Sequence, residues 1–106
     1  MTVMDMNRYQ GGSNDEVVPI VREWKKVWES IGAKSVMLSK IHSGPNTGDW
    51  LCIIQYEDWI TYGKCRAAMD AMYRESAEFK DLFDRTMKLQ NIHKLVERTL
   101  VVEVNI

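Results

Sequence analysis

Two stretches of the chain repeat apolar residues at steps of three and four, which is the spacing of one face of an α-helix. The first covers residues 17–31 and is followed by Gly32, a residue type that commonly ends helices. The second covers residues 59–74 and follows Asp58, which predicts an N-cap at that position. Ser76 is placed to cap a further helical segment with the same apolar steps. The pattern therefore predicts two main helices and an additional helical segment.

Four other segments have the pattern of β-strands. Residues 2–9 and 95–105 alternate between two rows of side chains, as the two faces of a strand do. Residues 34–43 are rich in β-forming types, and residues 49–56 are almost continuously apolar. The segment 43–48 between them is a cluster of turn-forming residues, which predicts a hairpin. The resulting order, β-α-β-β-α-β, is that of the ferredoxin-like α+β fold.

Right-handed crossovers give this order a four-stranded antiparallel sheet, order 4-1-3-2, with both helices on one face. We expect residues 1–106 to form this single domain. Met4 and Met6 are apolar, which predicts that their row of the first strand faces the helices. The last strand adds the apolar row Leu100, Val102 and Val104.

The opposite face of the sheet is predicted to be mixed in character. Val3 and Val101 lie in its rows, and an antiparallel sheet with one face in water should alternate more cleanly. We therefore expect a second copy of the chain to cover this face, giving a two-fold homodimer, a dimeric α/β barrel. The polar members of the face are Asp5, Asn7, Tyr9, Glu103 and Asn105.

Composition excludes several classes of function. The net charge is −1, from 14 basic and 15 acidic residues, so a nucleic-acid partner is not expected. No apolar run is long enough to span a membrane, and residues 1–10 lack the pattern of a signal peptide, so we expect a cytoplasmic protein. The two cysteines, Cys52 and Cys65, form no C-x-x-C motif, and no phosphate-binding or zinc-protease motif occurs. Neither a metal nor a cofactor is expected.

The segment 56–64, Tyr-Glu-Asp-Trp-Ile-Thr-Tyr-Gly-Lys, and the segment 69–83 resemble the dimeric α/β-barrel superfamily, in particular its NIPSNAP-like and uncharacterised bacterial members. The resemblance covers the whole chain in element order. It implies a homodimer, and it places the chain among cofactor-free monooxygenases of polyketide quinones, haem-degrading enzymes, muconolactone isomerases, polyketide cyclases and stress-responsive proteins. Because these activities share one fold, the resemblance does not select among them.

His42 is the first candidate for a catalytic residue, because an imidazole can act as an acid or a base near neutral pH. It ends the second strand, at the edge of the sheet where Asn7 and Tyr9 are also expected. Their side chains can donate hydrogen bonds to a carbonyl or enolate oxygen. The alternative is that His42 is an exposed residue beside a turn, since the register of the hairpin is not determined by the sequence.

Other residues are predicted to contact a ligand in the lumen of the barrel. Trp50 would form an apolar wall. The alternative role for the acidic residues Asp5 and Glu103 is a hydrogen bond or an ion pair across the dimer, to Lys40 or Arg98. His93 is interpreted as a cation at a helix C-terminus, although a histidine near this point binds haem in some relatives. The predicted ligand-binding residues are Asp5, Lys40, Trp50, Tyr56, Glu103 and Asn105.

These residues support more than one function. The first hypothesis is a cofactor-free monooxygenase, isomerase or cyclase that acts on a small aromatic or polyketide-like compound. It requires an apolar cavity with converging polar groups. The second is a non-catalytic dimer that binds a ligand or a protein, and the third is a haem-binding or haem-degrading protein.

Overall fold

A computed structural model describes all 106 residues, and it has the predicted ferredoxin-like fold. Its four strands form one antiparallel sheet in the order β2-β3-β1-β4, which is the predicted order read from the other edge. No helix is both long and apolar enough to cross a membrane. The elements are β1 (Val3–Gln10), α1 (Asn14–Ser30), β2 (Ser35–Lys40), β3 (Trp50–Tyr56), α2 (Trp59–Glu75), α3 (Ala77–Leu89) and β4 (Lys94–Val102).

Side chains at the helix N-termini explain where each helix begins. Ser13 and Glu16 form a capping box, in which the Ser13 amide donates to Glu16 Oε1 at 3.0 Å. Asp58 accepts a hydrogen bond from the Thr61 amide at 2.7 Å. Ser76 ends α2 and caps α3, because its hydroxyl accepts from the amide of Phe79 at 3.2 Å. The caps at Asp58 and Ser76 are those predicted from the sequence.

The helices cover the face of the sheet that carries Val3, Asp5 and Asn7, which we call the inner face. These three side chains are buried, and Asp5 is only 2% exposed. The prediction that Met4 and Met6 face the helices is therefore wrong, because these residues lie on the opposite, outer face. The more apolar row of β1 is not the one that faces the helices, because the polar row, Asp5 and Asn7, is hydrogen-bonded inside the protein.

A close-packed core occupies one end of the space between the sheet and the helices. Val3 and Tyr56 are adjacent on β1 and β3, and both are completely buried. Trp28 of α1 and Cys65 of α2 pack against them. The inner face is thus closed by apolar packing at this end, while at the other end it opens into a cavity.

The outer face has no covering element within the chain. The register of the sheet places Met6 opposite Ile53, and Ile53 opposite Met37 of β2. Met37 is 56% exposed, whereas Met4 and Met6 are half-buried. An apolar strip therefore crosses three neighbouring strands on this face.

Candidate functional site

A cavity of about 320 Å³ lies between the inner face of the sheet and the helices. Its size is at the low end of the range of small-molecule sites, roughly 300–1,000 Å³. Apolar side chains make up 13 of the 20 residues that line it, so the space suits a mainly apolar ligand. Trp24 of α1 donates a hydrogen bond to Thr86 of α3 at 2.7 Å, which ties two walls of the cavity together.

An ion pair forms the polar part of the cavity floor. The guanidinium of Arg98 donates two hydrogen bonds to the carboxylate of Asp5, from Nε to Oδ1 and from Nη2 to Oδ2, both at 2.9 Å. Nη2 also donates to the Tyr62 hydroxyl at 2.9 Å. The hydrogen bonds to Asp5 raise the pKa of Arg98 above its usual value. Since Nε and Nη2 are committed, both N–H groups of Nη1 remain for a ligand.

The amide of Asn7 completes this polar group. Its Nδ2 donates to the Asp5 carboxylate at 3.2 Å and to the Asp5 backbone carbonyl at 3.3 Å. Both acceptors lack a hydrogen, so the amide must present its nitrogen to Asp5. Asn7 also lines the cavity, and its carbonyl oxygen is left as an acceptor.

His93 is the histidine that lines the cavity, and it is 6% exposed. Its Nδ1 lies 2.9 Å from the carbonyl oxygen of Gly11. Because a carbonyl can only accept, Nδ1 carries the hydrogen, and Nε2 of the neutral ring keeps a lone pair. Burial lowers the pKa of His93, and the hydrogen bond to Gly11 offsets only part of that effect. The imidazole is therefore neutral at physiological pH.

Two aromatic rings hold the imidazole in place. Tyr9 stacks on His93, with 4.5 Å between ring centroids and 10° between planes, and Trp50 meets it edge-on at 6.2 Å. Burial, with smaller contributions from Cys52 and Asp5, raises the pKa of Tyr9 to about 12. The Tyr9 phenol therefore keeps its proton and can donate it in a hydrogen bond. Burial also raises the pKa of Cys52, to about 11, so this cavity thiol stays protonated.

The loop after β1 can hold His93 only because it contains two glycines. Gly11 and Gly12 have φ of +85° and +89°, a region that side chains rarely adopt. A Cβ on Gly11 would lie 2.1 Å from the carbonyl oxygen of Ile92. The Trp50 indole donates to the Gly12 carbonyl at 3.3 Å, which fixes the loop from the other side.

The structure brings together Asp5, Asn7 and Tyr9, which all line the cavity. Their predicted position on the face opposite the helices is wrong, because Arg98 neutralises Asp5 and allows this row to be buried. The ion pair of Asp5 with Arg98 was expected across the dimer, but it forms within one chain. Trp50 is buried beside the cavity, and its ring contacts His93, which lines the cavity.

The other predicted residues lie elsewhere. His42 is exposed in the loop between β2 and β3, outside the cavity. Lys40 is also exposed, with its ammonium group 4.5 Å from the centre of the Trp50 ring. Tyr56 belongs to the core, where its hydroxyl has no hydrogen-bond partner. Glu103, which accepts from the Thr2 amide at 3.4 Å, and Asn105 are exposed beyond β4.

The sequence did not indicate that His93 and Arg66 line the cavity, and it suggested Arg98 only as an ion-pair partner. Arg98 lies in the same row as Leu100, and an arginine in an apolar row is a signal that a buried acid needs a partner. His93 directly precedes β4 and looks like a helix-terminal cation, so its burial against a loop 82 residues away has no local signal. No three His, Cys, Asp or Glu side chains come close enough together to hold a metal ion.

No family model and no curated protein matches the chain, so the resemblance to NIPSNAP-like proteins stays a prediction. Solved structures do match. SnoaB, a cofactor-independent oxygenase from Streptomyces nogalater, superposes with a TM-score of 0.66 at 13% identity, over 99% of this chain and 95% of that one. A dimeric ferredoxin-like protein from an uncultured marine organism superposes with a TM-score of 0.59 at 12% identity, over 98% of both chains. At such identities the likeness establishes the ferredoxin-like fold and nothing finer.

Proposed function

We propose that the chain is a cofactor-free oxygenase acting on a small aromatic or polyketide-like compound in the cavity of the inner face. The observation that carries the proposal is the state of His93, a neutral imidazole with a lone pair on Nε2 that lines an apolar cavity. A base in such a place can remove a proton from a carbon acid. His93 takes the role that the sequence suggested for the exposed His42. SnoaB, which is described as cofactor-independent, has the same fold.

The reaction follows from the chemistry of an aromatic ketone with an acidic methylene group, such as an anthrone. Nε2 of His93 takes a proton from this carbon, and the electron pair stays on the substrate as an enolate. The enolate adds to O2 to give a peroxide anion, which recovers the proton from the imidazolium. Loss of water from the hydroperoxide then leaves a ketone. In total, CH2 and O2 give C=O and H2O, and the substrate supplies all the electrons.

The polar side chains of the floor stabilise the charge that develops. Nη1 of Arg98 and the hydroxyl of Tyr9 are donors without a committed acceptor in the chain, and both residues line the cavity. Donors aimed at an enolate oxygen lower the barrier to its formation. Asn7 holds Asp5 through its nitrogen and offers its carbonyl oxygen to a hydroxyl of the ligand.

We further propose that two copies of the chain pair through the outer face of the sheet. The support is the apolar strip of that face, with Met37 56% exposed and no covering element from the same chain. The marine structures of the same fold are described as dimeric. When two outer faces pair, each cavity still lies between the sheet and the helices of its own chain.

The test of the activity is oxygen uptake with anthrone as the substrate. We expect one O2 consumed per anthrone converted to anthraquinone, at a rate above the spontaneous oxidation measured without protein. His93→Gln keeps a donor for the Gly11 carbonyl but has no base, and we expect it to lose about 100-fold or more of the protein-dependent rate. His42→Gln is the matched control, because His42 is exposed outside the cavity, and it should retain the full rate.

Two results would contradict the proposal. A His93→Gln protein as fast as the wild type would remove the base from the mechanism. Anthrone that binds without oxygen uptake above the spontaneous rate would instead identify a non-catalytic ligand-binding protein.

A further inference from the structure

The charges that line the cavity do not cancel. Asp5 is the one carboxylate among the lining residues, and both of its oxygens are hydrogen-bonded to Arg98. Arg66 of α2 lines the same cavity as a second guanidinium. His93 adds no charge while its ring is neutral. The cavity therefore has one cation in excess, and the cation is Arg66.

Arg66 has no acidic partner in the structure. Asp70 is one helical turn further along α2, yet the two residues form no ion pair, and none of the six ion pairs of the chain includes Arg66. Arg66 is exposed, while Met69 on the same side of α2 is half-buried and also lines the cavity. The guanidinium thus belongs to the mouth of the cavity, where Arg98 is also exposed, whereas the Asp5 carboxylate is buried inside.

We propose that the natural ligand is an aromatic acid whose carboxylate pairs with Arg66 at the mouth while its ring system occupies the apolar cavity. This inference rests on the proposed function and names its class of substrate. A guanidinium presents a flat fork of donors that matches a carboxylate, and such charge-assisted hydrogen bonds are stronger than neutral ones. With the carboxylate at Arg66, the ring system occupies the apolar interior of the cavity, which the buried Asn7 and His93 also line.

The test compares two ligands of the same shape and different charge, 2-naphthoate and 2-naphthamide, by isothermal titration calorimetry at neutral pH. We expect the wild-type protein to bind the acid about tenfold more tightly than the amide. In Arg66→Gln this preference should disappear, because binding of the acid weakens while binding of the amide does not change. Lys64→Gln is the matched control, since Lys64 is an exposed cation two residues away on α2 that does not line the cavity.

Each remaining outcome has a definite consequence. Equal affinity of the wild type for the acid and the amide overturns the inference, and so does an unchanged preference in Arg66→Gln or a preference lost equally in Lys64→Gln. Absence of binding by both ligands overturns it as well. Anthrone is uncharged, so the oxygen-uptake assay decides the proposed function separately from these results.

Discussion

The inner and outer faces of the sheet carry side chains of opposite character. The inner face lies under the helices and presents a carboxylate, an amide and a phenol from Asp5, Asn7 and Tyr9. The outer face has no cover within the chain, and Met6 and Met37 are among its side chains. The polar side chains are thus buried under the helices, and the apolar side chains lie on the face that no helix covers. The polar groups of the inner face find their partners within the chain, and the proposed partner of the outer face is a second copy of the chain.

The partner of the inner face is a set of charges and hydrogen bonds within the same chain. A buried carboxylate without a cation costs several kcal/mol, and the two hydrogen bonds from Arg98 offset that cost for Asp5. The outer face needs no charge, because its apolar strip gains from any surface that removes it from water. The inner face can therefore be disturbed by removing one charge, and the outer face by adding one.

Removal of the Arg98 guanidinium is expected to have the largest effect. In Arg98→Met the Asp5 carboxylate, which is 2% exposed, keeps only the Asn7 amide as a partner. Breaking a buried pair by removing one member costs about 3–5 kcal/mol, and we expect about 3 kcal/mol because Arg98 is itself 35% exposed. Urea unfolding measures this loss in the free energy of unfolding.

The double variant Asp5→Asn, Arg98→Met is the control, because it removes both charges and nearly preserves the volume of the Asp5 side chain. It should recover more than half of the stability lost in Arg98→Met. A loss below about 1 kcal/mol in Arg98→Met, the size expected for an exposed pair, would mean that this ion pair is not what allows a polar inner face.

A charge on the outer face should affect association rather than folding. Met6 lies opposite Ile53 on the apolar strip, and Met6→Lys would place an ammonium group in the proposed dimer interface. We expect the dissociation constant of the dimer to rise about 100-fold, or about 2.7 kcal/mol. Sedimentation should give twice the 12.4 kDa of one chain for the wild type and a shift toward 12.4 kDa for the variant.

Ile60→Lys is the matched control for this substitution. Ile60 is 70% exposed on α2, away from the outer face, so the same exchange there should leave the dimer intact. A wild-type protein that sediments at 12.4 kDa at micromolar concentration would show that the outer face has no second copy on it.

The order of the elements and two of the helix caps could be predicted because the signals are local. Asp58 and Ser76 each accept a hydrogen bond from an amide three residues further on, so a short stretch of sequence contains the whole interaction. The turn residues 43–48 of the hairpin are likewise contiguous in the sequence. The strand order then follows from general rules of connection.

The inward row of β1 could not be predicted in this way. Alternation distinguishes the row of Met4 and Met6 from the row of Asp5 and Asn7, but it does not say which row faces the helices. That choice depends on Arg98, which is 93 residues away from Asp5 in the chain. The role of His93 depends in the same way on Gly11, a distant residue that contributes only a backbone carbonyl.

The smallest expected effect concerns the charge state of His93. Burial lowers its pKa in the folded protein below the usual 6.5, so the unfolded chain binds a proton first as the pH falls. Well above pH 6.5 the ring is neutral in both states and contributes nothing to the pH dependence. Below it the free energy of unfolding decreases, by at most about 1.4 kcal/mol per pH unit, until the folded pKa is reached.

The contribution of His93 is measured as a difference between variants, because carboxylates titrate in the same range. Urea unfolding between pH 5 and 7 should show a shallower loss of stability in His93→Gln than in the wild type. His42→Gln makes the same exchange at an exposed position outside the cavity, and it is the control for the substitution itself. Parallel curves for the wild type and His93→Gln would mean that folding leaves the pKa of this imidazole at its usual 6.5, so that burial does not keep the ring neutral at lower pH. The base of the proposed reaction would then become protonated as the pH falls through 6.5, and the protein-dependent rate should fall with it.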